Sequence, residues 1–152
     1  DAGPILYFTA NPPAGMGKLR SVGVLSPGAT VDLMAVSGAG PILHTDEGIY
    51  VASTEVGNVS LHPPVGPNQS VLADASGLID LEVDSRSVFL LRAPGGAGEG
   101  GSILRVGRVE AKGLTVVRDD LASPIAMQVD DEHLYVLQGD AEAPLVQIRT
   151  GL

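Results

Sequence analysis

Short apolar runs separated by turn residues recur along this chain of 152 residues. In the run Leu78–Asp84, three aliphatic side chains alternate with Asp80 and Glu82. A period of two residues is typical of a strand that buries one face. The 20 glycines and 11 prolines are scattered, which leaves little room for long helices. The pattern therefore predicts an all-β chain of short strands joined by tight turns.

An aromatic side chain marks every fourth predicted strand. Four of the five aromatic residues stand 43, 39 and 46 residues apart: Tyr7, Tyr50, Phe89 and Tyr135. We expect their rings to fill the wedges between neighbouring repeats, where one large side chain excludes more water than several small ones. An aspartate precedes each of the last three aromatics by four or five residues: Asp46, Asp84 and Asp130. Because an aspartate can bind the backbone of its own turn, these residues are expected to shape the preceding hairpins.

A period near 40 residues in a β-rich chain is typical of the four-stranded blade of a β-propeller. If A is the innermost strand of a blade, overlaying the repeats gives the order B-C-D, A-B-C-D, A-B-C-D, A-B-C. The sequence thus predicts a single β-propeller segment, an arc of about three and a half blades. Its predicted parts are a partial blade at 1–40, full blades at 41–77 and 78–123, and a partial blade at 124–152.

Segments such as Pro124–Val136 resemble the blades of the TolB-like, NHL and YWTD propellers, and they are also similar to the propeller lipoproteins of myxobacteria. The resemblance covers the whole chain and implies a propeller of six to eight blades. Proteins of unrelated activity share this blade pattern, so the resemblance implies a fold rather than a reaction. We expect a bacterial protein outside the cytoplasm, in the periplasm, at the cell surface or secreted.

The predicted arc lacks strands at both ends. Its first blade has no strand A and its last blade has no strand D, whereas natural propellers have four to eight blades. The chain begins at Asp1 rather than at methionine, so we expect a processed, excised or engineered segment, and part of a larger propeller. Open blade faces and unpaired edges favour aggregation. We therefore expect that another protein chain, or the remainder of the propeller, completes the terminal blades.

Composition excludes several classes of partner and chemistry. The net charge is −9, and the nine lysines and arginines are dispersed, which disfavours binding to nucleic acid. The absence of cysteine excludes disulfides, thiol catalysis and cysteine-ligated zinc. No apolar run approaches the ~20 residues of a membrane-spanning helix.

Polar residues on the predicted innermost strands are the candidate ligands of an axial site. His44, Glu82 and Gln128 each lie two residues before a turn aspartate, so we expect them to line the central channel. Such a ring could hold a cation such as calcium or a polar ligand, or it could simply hydrate the channel. Asp80 and Glu82 share one strand face and form a candidate carboxylate pair for glycoside hydrolysis. No other cofactor is predicted.

The sequence contains no assembled catalytic motif. The Gly-x-Ser-x-Gly elbow is absent, and the glycine-rich stretch 96–101 leads into a strand-like segment rather than the helix of a dinucleotide site. We therefore expect a non-enzymatic module that binds or scaffolds proteins or peptides. The alternatives are a propeller-type lyase or hydrolase with an axial channel site, and a structural subunit of a surface assembly.

Overall fold

The computed structural model describes residues 4–11, 16–25, 28, 30–72, 76–96, 98–108, 113–139, 142 and 144–150. Its regular structure consists entirely of β-strands, as the alternating pattern predicts. The strands are β1 (Ile5–Ala10), β2 (Gly17–Gly23), β3 (Val31–Val36), β4 (Ala39–Thr45), β5 (Gly48–Ser53), β6 (Asn58–His62), β7 (Gln69–Leu72), β8 (Leu78–Val83), β9 (Ser87–Arg92), β10 (Gly101–Gly107), β11 (Thr115–Leu121), β12 (Pro124–Val129), β13 (His133–Gln138) and β14 (Leu145–Arg149). The described ranges contain no helix with the length and hydropathy that a transmembrane span requires.

These strands form four antiparallel sheets in chain order. Sheet I contains β1–β3, sheet II β4–β7, sheet III β8–β11 and sheet IV β12–β14. The innermost strands of consecutive sheets contact one another, β1 with β4, β4 with β8 and β8 with β12. The prediction of a propeller arc of about three and a half blades is therefore confirmed. The division at residues 40, 77 and 123 stays a prediction, and β4 already begins at Ala39.

Each sheet has a forward face, toward the next sheet in chain order, and a backward face. Residues directly opposite each other in an antiparallel pair share a face. Among the described residues, eleven buried ones fill the junction between sheets II and III, and seven fill the junction between sheets III and IV. In the part of the chain that the structure describes, the residues buried between sheets I and II are Leu19, Val36 and Val51. Apolar burial is the main source of cohesion between blades, so this first junction is the least tightly closed.

The hairpins between the first two strands of sheets II and III differ in length. Val83 pairs with Val88 across a four-residue turn, whereas Thr45 pairs with Gly48 across a two-residue turn. Gly48 has a φ of +143°, a backbone conformation that favours glycine. Because of this difference, β4 is shifted by one residue relative to the aromatic strand. A shift of one residue moves a side chain to the opposite face of the sheet.

Candidate functional site

The cleft between sheets I and II is a concave surface formed by described residues. It contains two cavities of about 540 and 500 Å³, a size typical of ligand sites. The first cavity lies against the inner strands and is lined by Ile5, Leu6, Tyr7, Ile42, Leu43 and His44. The second opens between the sheet faces and shares Ile5, Tyr7 and His44 with the first.

Tyr7 and His44 stack against each other in this cleft. Their ring centroids are 5.1 Å apart and the ring planes differ by 10°. The short hairpin explains the contact, since it places His44 opposite Ile49, on the backward face of sheet II. His44 is exposed, and its imidazole makes no hydrogen bond within the described part of the chain. The stacked pair therefore presents a polar ring edge in a cleft whose lining is mainly apolar, with further polar groups in the second cavity from Ser21, His62 and Asn68.

Asn11 fastens the end of β1 to the start of β4. Its Oδ1 accepts the Ala39 N–H at 2.8 Å, and its Nδ2 donates to the Ala39 carbonyl at 2.9 Å. The Thr9 hydroxyl donates to the Gly40 carbonyl at 3.1 Å. A Cβ at Gly17 would lie 2.5 Å from the Asn11 Oδ1, so only glycine fits beside this clamp. The clamp ties the end of β1 to the start of β4, and no sequence pattern indicated it.

The inner edge of β1 faces the first cavity. The Pro4 carbonyl accepts the Val24 N–H at 2.8 Å. Because hydrogen-bonding direction alternates along an antiparallel strand, the backbone groups of Leu6 and Phe8 point toward β2. Those of Ile5 and Tyr7 then point away from β2, where no other strand lies within the described ranges. In the other three sheets this place is held by β4, β8 and β12.

The three predicted channel residues lie on different faces. His44 faces sheet I, Glu82 lies opposite Phe89 on the forward face of sheet III, and Gln128 lies opposite Tyr135 on the forward face of sheet IV. The structure does not bring them together into a ring. Among the residues it describes, no group of three or more His, Cys, Asp or Glu side chains could hold a metal ion.

Asp80 and Glu82 share the forward face of sheet III, as the alternation of β8 predicts. Burial, and secondarily the charge of Asp80, raises the pKa of Glu82 to about 7. Asp80 itself is engaged by backbone: its Oδ1 accepts the Leu81 N–H at 2.9 Å and its Oδ2 the Met127 N–H at 2.7 Å. Its observed contacts therefore link β8 to β12 across two sheets.

The four aromatic residues occupy equivalent positions in unequal surroundings. Tyr50 and Phe89 are each 1% exposed. Tyr50 lies in the junction between sheets II and III, and Phe89 lies in the junction between sheets III and IV. Tyr7 is only partly buried in the first cleft. Tyr135 lies on the forward face of sheet IV, where its hydroxyl donates to Asp130 Oδ2 at 3.0 Å. The two interior rings thus fill wedges, whereas the two outer rings remain accessible.

Two of the predicted turn aspartates cap their hairpins. Asp84 Oδ1 accepts the N–H groups of Arg86 and Ser87 at 2.7 and 2.6 Å. Asp130 Oδ1 does the same for Glu132 and His133, at 2.8 and 2.7 Å. No such bond from Asp46 is present within the described ranges, because its hairpin is shorter.

Neither the protein-family models nor the curated proteins contain a match to this sequence. Solved structures do match, at low identity. Regucalcin from Agrobacterium tumefaciens, described as a calcium-binding protein, aligns over 96% of this chain with a TM-score of 0.62 and 15% identity. A chain of the nidogen/laminin complex aligns over 95%, with a TM-score of 0.56 and 8% identity, and the computationally designed protein Ika8 over 97%, with 0.61 and 14%.

These similarities show the fold alone, and the neighbours include β-propeller proteins. The present chain spans 57% of the regucalcin chain, 43% of the Ika8 chain and 71% of the chain in the nidogen/laminin complex. The class of protein that the fold defines is therefore the β-propeller, here as a module of about three and a half blades.

Proposed function

We propose that this chain is a non-enzymatic module that binds or scaffolds proteins and works together with further propeller blades. The forward face of sheet IV carries the proposal. By strand pairing, Tyr135, Leu137 and Leu145 hold the positions at which sheet III places Phe89, Leu91 and Ile103. Leu91 and Ile103 are fully buried against sheet IV, whereas Leu137 is 45% and Leu145 60% exposed. The last sheet therefore presents the apolar pattern of an interior junction to solvent.

The backward face of sheet I repeats this relationship at the other end. Leu6 and Phe8 correspond to Leu134 and Val136, both fully buried in the junction between sheets III and IV, yet Leu6 is 54% exposed. On the same face Asp32 pairs with Lys18 and with Arg20. An apolar centre with a charged rim is the usual anatomy of a protein interface.

Both end faces fit another propeller blade, supplied by a longer form of this chain or by another protein. That a solved neighbour belongs to a complex between nidogen and laminin supports a protein as the partner. A location outside the cytoplasm is part of the same proposal, and fractionation of the source cells tests it.

Sedimentation equilibrium over a series of concentrations tests the proposal. The wild-type chain is expected to associate, so that its weight-average mass rises with concentration. Leu137→Glu combined with Leu145→Glu is expected to hold the mass near that of a monomer, because charge on an apolar face opposes burial. Val65→Glu is the matched control, since Val65 is 90% exposed but lies in a loop outside both end faces.

Circular dichroism must show that the variants keep the β-sheet spectrum of the wild-type chain. A wild-type chain that remains a monodisperse monomer at every concentration would overturn the proposal. If the Leu137 and Leu145 substitutions leave association unchanged, the forward face of sheet IV is not the interface, and that part of the proposal is overturned.

A further inference from the structure

We infer that the inner edge of β1 binds an extended peptide as an added strand, antiparallel to β1, with acidic residues alternating with apolar ones. The inference rests on the proposed binding function and assigns it a site and a class of ligand. The site is the first cavity, where Ile5 and Tyr7 turn their backbone N–H and C=O groups away from β2. Strand addition at an exposed edge takes its affinity from main-chain hydrogen bonds and its specificity from alternate side chains.

Sheet III shows what such a strand looks like when the place is filled. The Asp84 N–H donates to the Ser87 carbonyl at 3.0 Å. By the alternation of antiparallel pairs, Glu82 and Phe89 then exchange both of their backbone hydrogen bonds. Tyr7 holds in sheet I the position that Phe89 holds in sheet III. The backbone N–H and C=O groups that Tyr7 turns away from β2 correspond to those with which Phe89 bonds to Glu82. An added strand would therefore pair one of its residues with Tyr7 as Glu82 pairs with Phe89.

The side chain of that residue decides the chemistry of the ligand. It would share the face of Tyr7, the forward face of sheet I, and would therefore point toward sheet II. His44 projects into the same space from the backward face of sheet II, exposed and without a hydrogen bond in the described chain. A carboxylate at this position could accept a hydrogen bond from the His44 imidazole, and such charge-assisted bonds are the strong ones. This complementarity favours an acidic residue there.

The neighbouring residues of the ligand would face backward, beside Leu6, where the cavity lining is aliphatic. Alternation between apolar and acidic side chains follows from these two surroundings. The Asn11 clamp and the Thr9 hydroxyl hold the far end of β1 against β4. The paired segment of a ligand is therefore short and lies opposite Ile5–Phe8.

The chain itself contains a sequence with these properties, Leu-Ile-Asp-Leu-Glu-Val-Asp at residues 78–84. A fluorescent peptide of this sequence is a suitable probe, with binding to the 152-residue chain measured by anisotropy at pH 6. We expect saturable binding. Methylating the backbone nitrogen of the glutamate should weaken binding more than tenfold, because that N–H would face β1. Methylating the nitrogen of the following valine should change the affinity less than twofold, because that N–H would face the central channel, away from β1.

Two substitutions test the contact with His44. Replacing the glutamate of the peptide by glutamine, or His44→Gln in the protein, should each weaken binding by about tenfold, the usual loss for one charge-assisted hydrogen bond. Combining the two should weaken it little further, since both remove the same contact. His133→Gln is the matched control, because His133 lies on sheet IV, away from the cleft, and this substitution should leave affinity unchanged.

Absence of binding, or equal effects of the two methylated peptides, would overturn the inference. Self-association that His44→Gln abolishes and the peptide fails to displace would assign the edge to a second copy and overturn it as well. If the peptide does not bind while association through Leu137 and Leu145 persists, the peptide site at β1 is overturned and the proposed function is not. If neither the peptide binds nor the chain associates, the proposed function is overturned as well.

Discussion

The guanidinium of Arg108 lies 2.7 Å from the carboxylate of Glu47 and so joins sheet III to the first turn of sheet II. Only 13% of the Arg108 side chain is exposed, and its Nη1 also donates to the Asp84 carbonyl at 2.5 Å. The Tyr50 hydroxyl donates to the same Glu47 oxygen at 3.1 Å. One cation thus holds the turns of two adjacent blades beside the aromatic ring of their junction. The hydrogen bond from Arg108 is the main reason that the pKa of Glu47 is lowered.

Arg108→Met is expected to lower the free energy of unfolding by about 2 kcal/mol, because the turns of both blades lose a largely buried charged donor. Urea denaturation at pH 7 measures the change. Arg118→Met is the control: Arg118 pairs with Asp120 at the surface, and exposed pairs contribute less than about 1 kcal/mol. In a double-mutant cycle, Arg108→Met and Glu47→Gln should couple. Additive effects would contradict a direct interaction.

Asp84→Ala is expected to destabilise the chain by about 1 kcal/mol, since two backbone N–H groups lose their acceptor. Asp46→Ala should cost less than about 0.5 kcal/mol, because its carboxylate makes no equivalent bond in the described chain and surface substitutions of this kind have small effects. Thermal denaturation of the two variants compares turns that look alike in sequence. Equal losses would show that the aspartates act through the unfolded chain instead.

The same pair of turns shows how far the sequence could predict this molecule. Alternation within strands, the spacing of the aromatic residues and the positions of glycine and proline are local signals, and they were sufficient for the strand order and the arc. The register of β4 depends on one residue: Asp46 precedes Tyr50 by four positions, whereas Asp84 precedes Phe89 by five. Counting from the aspartate made His44 and Glu82 equivalent, yet the shorter turn places them on opposite faces.

Contacts between blades were beyond prediction for a different reason. Asn11 and Arg108 each follow a strand of ordinary pattern. Asn11 binds Ala39, which lies 28 positions further along the chain, and Arg108 binds Glu47 in the turn of another blade. No periodicity marks such residues, because only the packing of the blades brings their partners near. The Asn11 clamp beside the candidate cleft is a contact of this kind, whereas the fold depends on local patterns.

Phe89→Ala is expected to cost about 4 kcal/mol, since it removes a ring that is 1% exposed between sheets III and IV and leaves a cavity. Tyr135→Ala should cost the isolated chain less than about 1.5 kcal/mol, because this ring lies on an open face, where it makes a hydroxyl bond to Asp130 and a tilted ring contact with His133. Urea denaturation of dilute protein measures both. If the end face of sheet IV is covered by another blade, the cost of Tyr135→Ala should approach that of Phe89→Ala in the complex. Equal costs in the monomer would contradict the open face.

The carboxyl group of Glu82 should make the stability of the chain depend on pH. Its pKa is raised from an ordinary value of 4.5 to about 7, first by burial and then by the charge of Asp80. Below pH 4.5 the group is protonated in both the folded and the unfolded chain, so its contribution to stability is fully present. Between pH 4.5 and 7 the unfolded chain releases the proton first, and the folded state loses stability as the pH rises. Because Glu82 is only partly buried, solvent screening limits the loss to the order of 1 kcal/mol.

Glu82→Gln removes this titration. Relative to the wild-type chain, the variant should therefore gain about 1 kcal/mol of stability when the pH is raised from 4.5 to 8. Urea midpoints of both proteins across this range measure the difference, in which the titrations of groups that do not interact with Glu82 cancel. Glu99→Gln, at an exposed loop position, is the control and should follow the wild-type curve. If the curves of Glu82→Gln and the wild-type chain remain parallel from pH 4.5 to 8, the Glu82 carboxyl is as well hydrated in the folded chain as in the unfolded one. Its place in the junction between sheets III and IV would then be wrong.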